Sequence, residues 1–229
     1  MTKNYKQPRI KMHDLFEAKV HLGHQTHVWN PKMAPYLFGI RNKTHIIDLE
    51  QTIPFLRRAL NVTKEIVKNN GNILFLGTRA DLSNIVTISA KRCGQPYMTN
   101  NWVSGTLTNW KEIYPCLERL KIFEEMQENN INLSTSEFQQ FKRLKTSFEG
   151  IKNLTTLPDA IFVIDTNLHK LAIKEAMRSN IPTIGILDSN CDPENITYPI
   201  PGNDDSLEAI HLYCKLMSDN ILEGMKESI

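Results

Sequence analysis

The chain has 229 residues, of which 41% are hydrophobic and 23% are charged, and its formal net charge is +2. These values are ordinary for a folded globular protein, and they exclude a disordered or strongly basic chain. No apolar run approaches the roughly 18 residues that span a bilayer, which excludes a helical membrane protein.

The first residues and the cysteines bear on the compartment. The basic start of the chain contains no apolar stretch of the kind that predicts a secretory signal, and it is too short for a convincing transit peptide. The cysteines are widely spaced and form no C-x-x-C pair, which predicts free thiols in a reducing compartment. They are Cys93, Cys116, Cys191 and Cys214.

The stretch from residue 21 to residue 49 is too irregular to predict a simple helix or strand. Pro31 and Pro35 each remove a backbone donor. We therefore predict an irregular N-terminal arm over residues 1–44, followed by a short strand at residues 45–49. Its interleaved aromatic and basic side chains are typical of RNA binding. An arm that only packs on the domain is an equally good interpretation.

Alternating helices and strands are predicted after the arm. Apolar residues at helical spacing predict helices over residues 52–68 and 82–93, and continuous apolar runs predict buried strands. These strands are residues 73–76, 97–99, 160–164 and 182–187. The order predicts an α/β domain over residues 45–110 and 150–229, with a mostly parallel sheet of about five strands covered on both faces.

Residues 111–149 interrupt that order with two amphipathic segments. Apolar side chains recur at spacings of three and four on both sides of a break at Asn129 and Asn130. Ser134 and Glu137 have the spacing of a capping box that begins the second helix. We predict an antiparallel helical hairpin, a coiled coil inserted in the domain, whose removal leaves the α/β domain folded.

Acidic side chains gather after the last predicted strand. Asp205 and Glu208 have the spacing of a capping box for the final helix, where negative charge stabilises the helix N-terminus. The alternative is a structural Mg²⁺ ion held by Asp188 and Asp204. We favour the capping interpretation, and no firm cofactor is predicted.

Two further patterns are weak evidence for a metal site or a nucleotide site. His21, His24 and His27 stand three apart, but no cysteine lies near them, which disfavours a zinc site. Residues 77–79, Gly-Thr-Arg, follow a buried strand, where open α/β sheets bind ligands, but they lack a phosphate-loop pattern. Since no catalytic pattern is present, no enzyme is predicted. A flavodoxin-like nucleotide-binding enzyme is the alternative.

Four stretches resemble the small-subunit ribosomal protein S-two family. They are residues 21–52 (HLGHQTHVWNPKMAPYLFGIRNKTHIIDLEQT), 101–113, 157–176 and 181–205. The resemblance implies a flavodoxin-like three-layer α/β fold with a helical hairpin. It also implies a non-catalytic constituent of the small ribosomal subunit, on its solvent side at the junction of head and body, that supports translation. Asn101 and Ser104 depart from the family, which usually has Arg and Gly at these positions.

The resemblance also implies the partners and the compartment. We expect contacts to small-subunit rRNA and to neighbouring small-subunit proteins, with no membrane association and no homo-oligomer. The candidate rRNA-binding residues are His24, Gln25, Trp29, Asn30, Lys32, Arg41, Trp102, Thr108, Asn109 and Lys111. Residues 181–214 look most like mitochondrial members, which implies the mitoribosome of the mitochondrial matrix. A bacterial cytoplasm or a plastid is the alternative.

Overall fold

The computed structural model describes residues 10–129 and 134–227, so the basic residues before residue 10 and the predicted break at Asn130 lie outside the described residues. In this part of the chain no helix combines the length and the apolar character needed to cross a membrane. The elements in chain order are α1 (Met12–Glu17), β1 (Leu22–Gln25), a 3₁₀ helix (Pro31–Tyr36), β2 (Leu37–Arg41), β3 (Thr44–Ile47), α2 (Leu49–Lys68), β4 (Ile73–Leu76), α3 (Ser83–Arg92), β5 (Tyr97–Met98), α4 (Trp110–Glu128), α5 (Thr135–Phe148), a second 3₁₀ helix (Glu149–Ile151), β6 (Ala160–Val163), α6 (Lys170–Arg178), β7 (Thr183–Leu187), β8 (Tyr198–Pro201) and α7 (Leu207–Glu227).

The main sheet has five parallel strands in the order β5-β4-β6-β7-β8. Successive side chains of a strand point to opposite faces, so the sheet supplies two cores. Ile73 and Phe75 pack with α2, α3 and α7 on one face, and Leu74 and Leu76 pack with α4, α5 and α6 on the other. The predicted flavodoxin-like three-layer α/β fold is therefore confirmed.

The predicted number of strands matches the sheet, but one member differs. The predicted strand at residues 45–49 is β3, which lies outside the parallel sheet. Its place is taken by β8, which lies beyond the last strand that we predicted, residues 182–187. Pro199 and Pro201 hid this strand because proline cannot donate to a sheet ladder. β8 tolerates them because it lies at the edge of the sheet.

The arm is more regular than predicted, since β1, β3 and β2 form an antiparallel three-stranded sheet in that order. The prediction of an irregular arm is wrong over these strands. A two-residue turn joins β2 to β3, with φ of 51° at Asn42 and 61° at Lys43. Positive φ at both positions matches the twist of a hairpin, and glycine is the usual second residue. Lys43 at that position concealed the hairpin.

The predicted helical hairpin is present as α4 and α5. The ring centroids of Phe123 and Phe141 are 6.0 Å apart in an edge-on contact between the two helices, and Ser134 and Glu137 form the predicted capping box. Leu117 of α4 is buried in the same cluster as the side chains of the parallel strands. The base of the hairpin therefore belongs to the packed interior, and its independence from the α/β domain stays a prediction.

Candidate functional site

Polar side chains from three parts of the chain converge at the carboxyl edge of the parallel sheet. Asp188 follows β7, Asp204 and Asp205 precede α7, and β1 brings His24 to them. One possible ligand atom from each of the four residues lies within 4.8 Å of the others. We call these four residues the edge cluster.

Gly23 makes this approach possible. A Cβ atom at Gly23 would lie 2.8 Å from Ser189 Oγ and 3.1 Å from Asp188 Oδ1, closer than side-chain carbons pack. With no Cβ there, the backbone nitrogen of His24 donates to Ser189 Oγ at 2.8 Å, and that of Asn30 donates to the Ser189 carbonyl at 2.8 Å. The arm sheet therefore docks directly on the end of β7.

The imidazole of His24 lies between two carboxylates. Its Nδ1 is 3.1 Å from Asp188 Oδ2, and its Nε2 is 3.3 Å from Asp205 Oδ2. On the far side, Arg79 Nη1 donates to Asp205 Oδ1 at 2.6 Å, and Arg79 Nη2 donates to Asp81 at 2.7 Å. Arg79 is thus held by two acids, which explains why residues 77–79 are poorly suited to a nucleotide phosphate.

The charges in and next to the edge cluster shift the pKa values of His24, Asp204 and Arg79. A hydrogen bond to Asp188 raises the pKa of His24 to about 9, with further support from the negative charges around it and against the opposing effect of burial. Burial raises the pKa of Asp204 well above its ordinary value, and the charges of Asp188, Asp165 and Asp205 add to this effect. The hydrogen bond to Asp81 is the main cause that raises the pKa of Arg79.

The predicted capping box of Asp205 and Glu208 is wrong. Ser206 caps α7 instead, because its Oγ accepts from the backbone nitrogen of Ala209 at 3.4 Å. Asn203 Oδ1 accepts from the backbone nitrogens of Asp205 and Ser206, at 2.8 and 3.0 Å. The carboxylate of Asp205 therefore remains available for Arg79 and His24. The capping residue is one position later than predicted, and the spacing of the acids alone could not reveal this.

The candidate rRNA-binding residues of the arm divide into two groups. Trp29 packs on His45 with ring centroids 4.9 Å apart, Asn30 caps the 3₁₀ helix, and Lys32 pairs with acids. These acids are Asp192 at 2.9 Å and Glu194 at 2.8 Å. His24 belongs to the edge cluster, whereas Gln25 and Arg41 are exposed. The structure thus places Gln25 and Arg41 where a partner reaches them directly.

The loop before α4 is held by a buried acid. Glu175 accepts from Trp102 Nε1 at 3.1 Å, from Gly105 N at 2.9 Å and from Leu107 N at 3.1 Å. Trp102 is therefore an anchor of the loop. The other candidates there are exposed at the loop end and the start of α4: Thr108, Asn109 and Lys111.

Sequence reasoning missed the exposed surface of β2. Phe38 is 81% exposed and Ile40 is 63% exposed, and they are on the edge strand of the arm sheet next to Arg41. The signal was the strand-like alternation in Leu-Phe-Gly-Ile-Arg, obscured by the prolines before it. His21 stacks on Phe16 and His27 is exposed, so the three spaced histidines do not converge.

Comparisons with known proteins find one family. The family model described as "Ribosomal protein S2" matches residues 15–224. The chain is 49% identical over 227 residues to "Small ribosomal subunit protein uS2" of Gluconobacter oxydans, covering 97% of this chain and 86% of that one. It is 46% identical over 228 residues to the protein of the same name from Paramagnetospirillum magneticum (97% and 86%) and 47% identical over 223 residues to that of Agrobacterium fabrum (95% and 88%).

Proposed function

The chain belongs to the ribosomal protein S2 family, and from this membership we propose that it is a structural constituent of the small ribosomal subunit. The match over residues 15–224 is the observation that carries the proposal. The family is structural and not enzymatic, which removes the alternative of a nucleotide-binding enzyme. We further propose a position on the solvent side of the subunit, at the junction of head and body, where the protein supports translation.

We propose that the β2–β3 hairpin is a principal contact to rRNA. Arg41 and Lys43 are exposed at its turn, and neither forms an ion pair within the described parts of the chain. Phe38 and Ile40 are exposed beside them. Cationic side chains bind phosphate, and exposed apolar side chains next to them provide surface for bases or for a neighbouring protein.

A second contact is proposed at the start of α4. Thr108, Asn109 and Lys111 are exposed there on a loop whose position is set by Glu175. A loop held in one conformation loses little conformational entropy when it binds. The other candidates act mainly by holding these surfaces in place, because they already have partners within the protein: His24, Trp29, Asn30, Lys32 and Trp102.

Salt-dependent assembly into small subunits tests the rRNA contact. Arg41→Ala and Lys43→Ala are compared with the wild-type protein and with Lys215→Ala, an exposed cation of α7. Each lost phosphate contact should reduce the slope of log affinity against log salt by about one unit. Lys32→Ala shows whether Lys32 leaves its acids for phosphate. Equal slopes for the wild type and both hairpin variants would remove the hairpin from the rRNA interface.

The compartment is proposed from the sequence resemblance as the mitochondrial matrix, with a bacterial cytoplasm or a plastid as alternatives. The relatives named above are bacterial proteins, which fits the bacterial alternative. Recovery of the protein with organellar or with bacterial ribosomes from its source cells decides between them.

A further inference from the structure

We propose that the edge cluster binds one divalent transition-metal ion, with Zn²⁺ as the best fit, through His24, Asp188, Asp204 and Asp205. Four side chains from three separate segments supply one ligand atom each within 4.8 Å of one another. A tetrahedral ion with bonds of about 2.0–2.2 Å holds its ligand atoms a little closer together than this. A small inward movement of the side chains therefore completes the site.

The charges of the cluster favour a cation. Three carboxylates face one imidazole, and the neighbouring guanidinium of Arg79 is shared between Asp205 and Asp81. Asp204 is 3% exposed, and no basic side chain pairs with its carboxylate within the described chain. Its hydrogen-bond donor is the thiol of Cys191, at 3.7 Å. A buried carboxylate with so weak a partner is costly unless a proton or a cation neutralises it.

The hydroxyl of Tyr213 is an independent observation. Tyr213 is 1% exposed, and its hydroxyl has no hydrogen-bond partner within the described chain. The oxygen lies against the backbone of Gly202, two residues before Asp204, and the charges that act on it are those of Asp188 and Asp204. A buried hydroxyl without a partner is unfavourable, so its presence here points to a further group bound between the acids.

The donor set distinguishes Zn²⁺ from Mg²⁺. Mg²⁺ prefers oxygen donors in an octahedral arrangement and usually keeps several waters. The edge cluster includes an imidazole nitrogen, and Asp188 is 1% exposed, so little room remains for a water shell. Imidazole with carboxylates suits Zn²⁺ and related ions. The Mg²⁺ ion that we considered from the sequence is therefore the weaker candidate.

Such an ion would join the two sheets of the protein. His24 is on β1 of the arm sheet, and Asp188 ends β7 of the parallel sheet. The backbone contacts of Ser189 already connect these strands. The bound ion would add a second connection, and it should restrain the whole arm sheet, including the β2–β3 hairpin.

Metal titration of the full-length protein tests the proposal. The protein is stripped with a chelator, and Zn²⁺, Mn²⁺ and Mg²⁺ are titrated in competition with a fluorescent metal indicator. We expect one Zn²⁺ per chain, bound at least tenfold more tightly than Mg²⁺. Asp204→Asn and His24→Gln should each weaken Zn²⁺ binding at least tenfold, whereas Asp81→Asn, which changes a neighbouring acid outside the cluster, should bind as the wild type does.

Hydrogen exchange gives a second readout that does not depend on the variants folding. In the wild-type protein, Zn²⁺ should slow amide exchange in β1 to β3 at least threefold relative to the stripped protein, with α5 as the internal control. Absence of stoichiometric Zn²⁺ binding, equal affinity in Asp204→Asn, or unchanged exchange in the arm with Zn²⁺ bound would overturn the proposal. Tighter binding of Mg²⁺ than of Zn²⁺ would overturn the choice of ion.

Discussion

At the scale of single residues, Glu175 shows how one buried charge organises a loop. It is 3% exposed, and its two carboxylate oxygens accept hydrogen bonds from three donors of the loop before α4. Two of these donors are backbone nitrogens that have no strand or helix to pair with. Without the carboxylate they would be buried and unsatisfied, which costs more than the hydrogen bonds contribute.

We expect Glu175→Gln to destabilise the protein by roughly 2 kcal/mol, because an amide has one acceptor oxygen and no charge. Glu175→Ala should cost about 4 kcal/mol, because it leaves all three donors unpaired. Urea unfolding measures both changes. Glu112→Gln, an exposed acid on α4, is the matched control and should stay within about 0.5 kcal/mol of the wild type. Equal stability of Glu175→Ala and the control would contradict the role of Glu175.

An exposed ion pair contributes to the pH dependence of stability in acid. Glu208 at the start of α7 accepts from Lys19 at 2.9 Å and from Ser206 at 2.7 Å, and these bonds lower the pKa of Glu208 to about 2. A lowered pKa in the folded state means stability that is present above the ordinary pKa of about 4.5. That stability is lost as the pH falls through about 2.

We expect the thermal midpoint of the wild-type protein to fall more steeply than that of Glu208→Gln as the pH is lowered from 4.5 to 2. At neutral pH the variant should melt slightly below the wild type, since it lacks the ion pair. Glu65→Gln, an exposed acid of α2, should follow the wild-type curve. If the plots of thermal midpoint against pH were parallel for the wild type and Glu208→Gln, the ion pair of Lys19 with Glu208 would make no contribution to stability.

At the scale of elements, the helical hairpin has a base and an outer part. Leu117 and Leu120 of α4 are buried in the cluster that includes side chains of the parallel sheet, and Phe123 and Phe141, in the same cluster, also pack against each other. The hairpin and the parallel sheet thus share one apolar cluster. The division into an arm (1–44), an α/β domain (45–110 and 150–229) and an insertion (111–149) therefore needs a direct test.

Two truncations make that test. Replacing residues 127–138 with a short Gly/Ser turn should leave the thermal midpoint nearly unchanged, because none of the described residues of that segment, 127–129 and 134–138, is buried. Replacing residues 111–149 should leave a cooperative transition at a lower midpoint, because the face of the sheet under Leu117 is then exposed. An insoluble or molten product of the larger truncation would show that the hairpin is part of the domain core.

At the scale of the whole molecule, the arm sheet and the parallel sheet depend on one close approach. Gly23 brings the β1 backbone against Asp188 and Ser189, and the turn before β1 adds a bond from Asn203 N to the Val20 carbonyl at 3.0 Å. The position of the proposed rRNA-binding hairpin follows from this docking, since β3 pairs with β1 on one side and with β2 on the other. A substitution at Gly23 should therefore also affect the other strands of the arm sheet, including the hairpin.

Gly23→Ala tests this dependence, with Gly39→Ala as the matched control in the same sheet. A Cβ at Gly23 meets Ser189 Oγ at 2.8 Å, and one at Gly39 meets no atom within 4 Å. We expect Gly23→Ala to cost about 1–3 kcal/mol and to speed amide exchange in β1 to β3. Gly39→Ala should remain within about 0.5 kcal/mol of the wild type. Similar effects of the two changes would mean that the sheets do not depend on this contact.

The sequence by itself determined the fold class, the helical hairpin and the two buried faces of the sheet. These features depend on local periodicity and capping, and both are readable over ten to twenty residues. The family resemblance depended on short sequence motifs in a fixed order, and each motif can also be read locally. By contrast, the strand Tyr198–Pro201 was missed because its local preferences oppose its structure, and only the sheet edge beside β7 makes it a strand.

Only the tertiary structure decided which side chains meet. His24 and Asp188 are 164 positions apart in the chain, and the distance between Arg79 and Asp205 is 126 positions. These contacts depend on the order of the strands and on the docking of the arm. The crossover connections between strands set the strand order, and no local sequence pattern encodes it. For the same reason, the spacing of Asp205 and Glu208 predicted a cap, whereas the folded chain gives Ser206 that role and turns Asp205 towards His24 and Arg79.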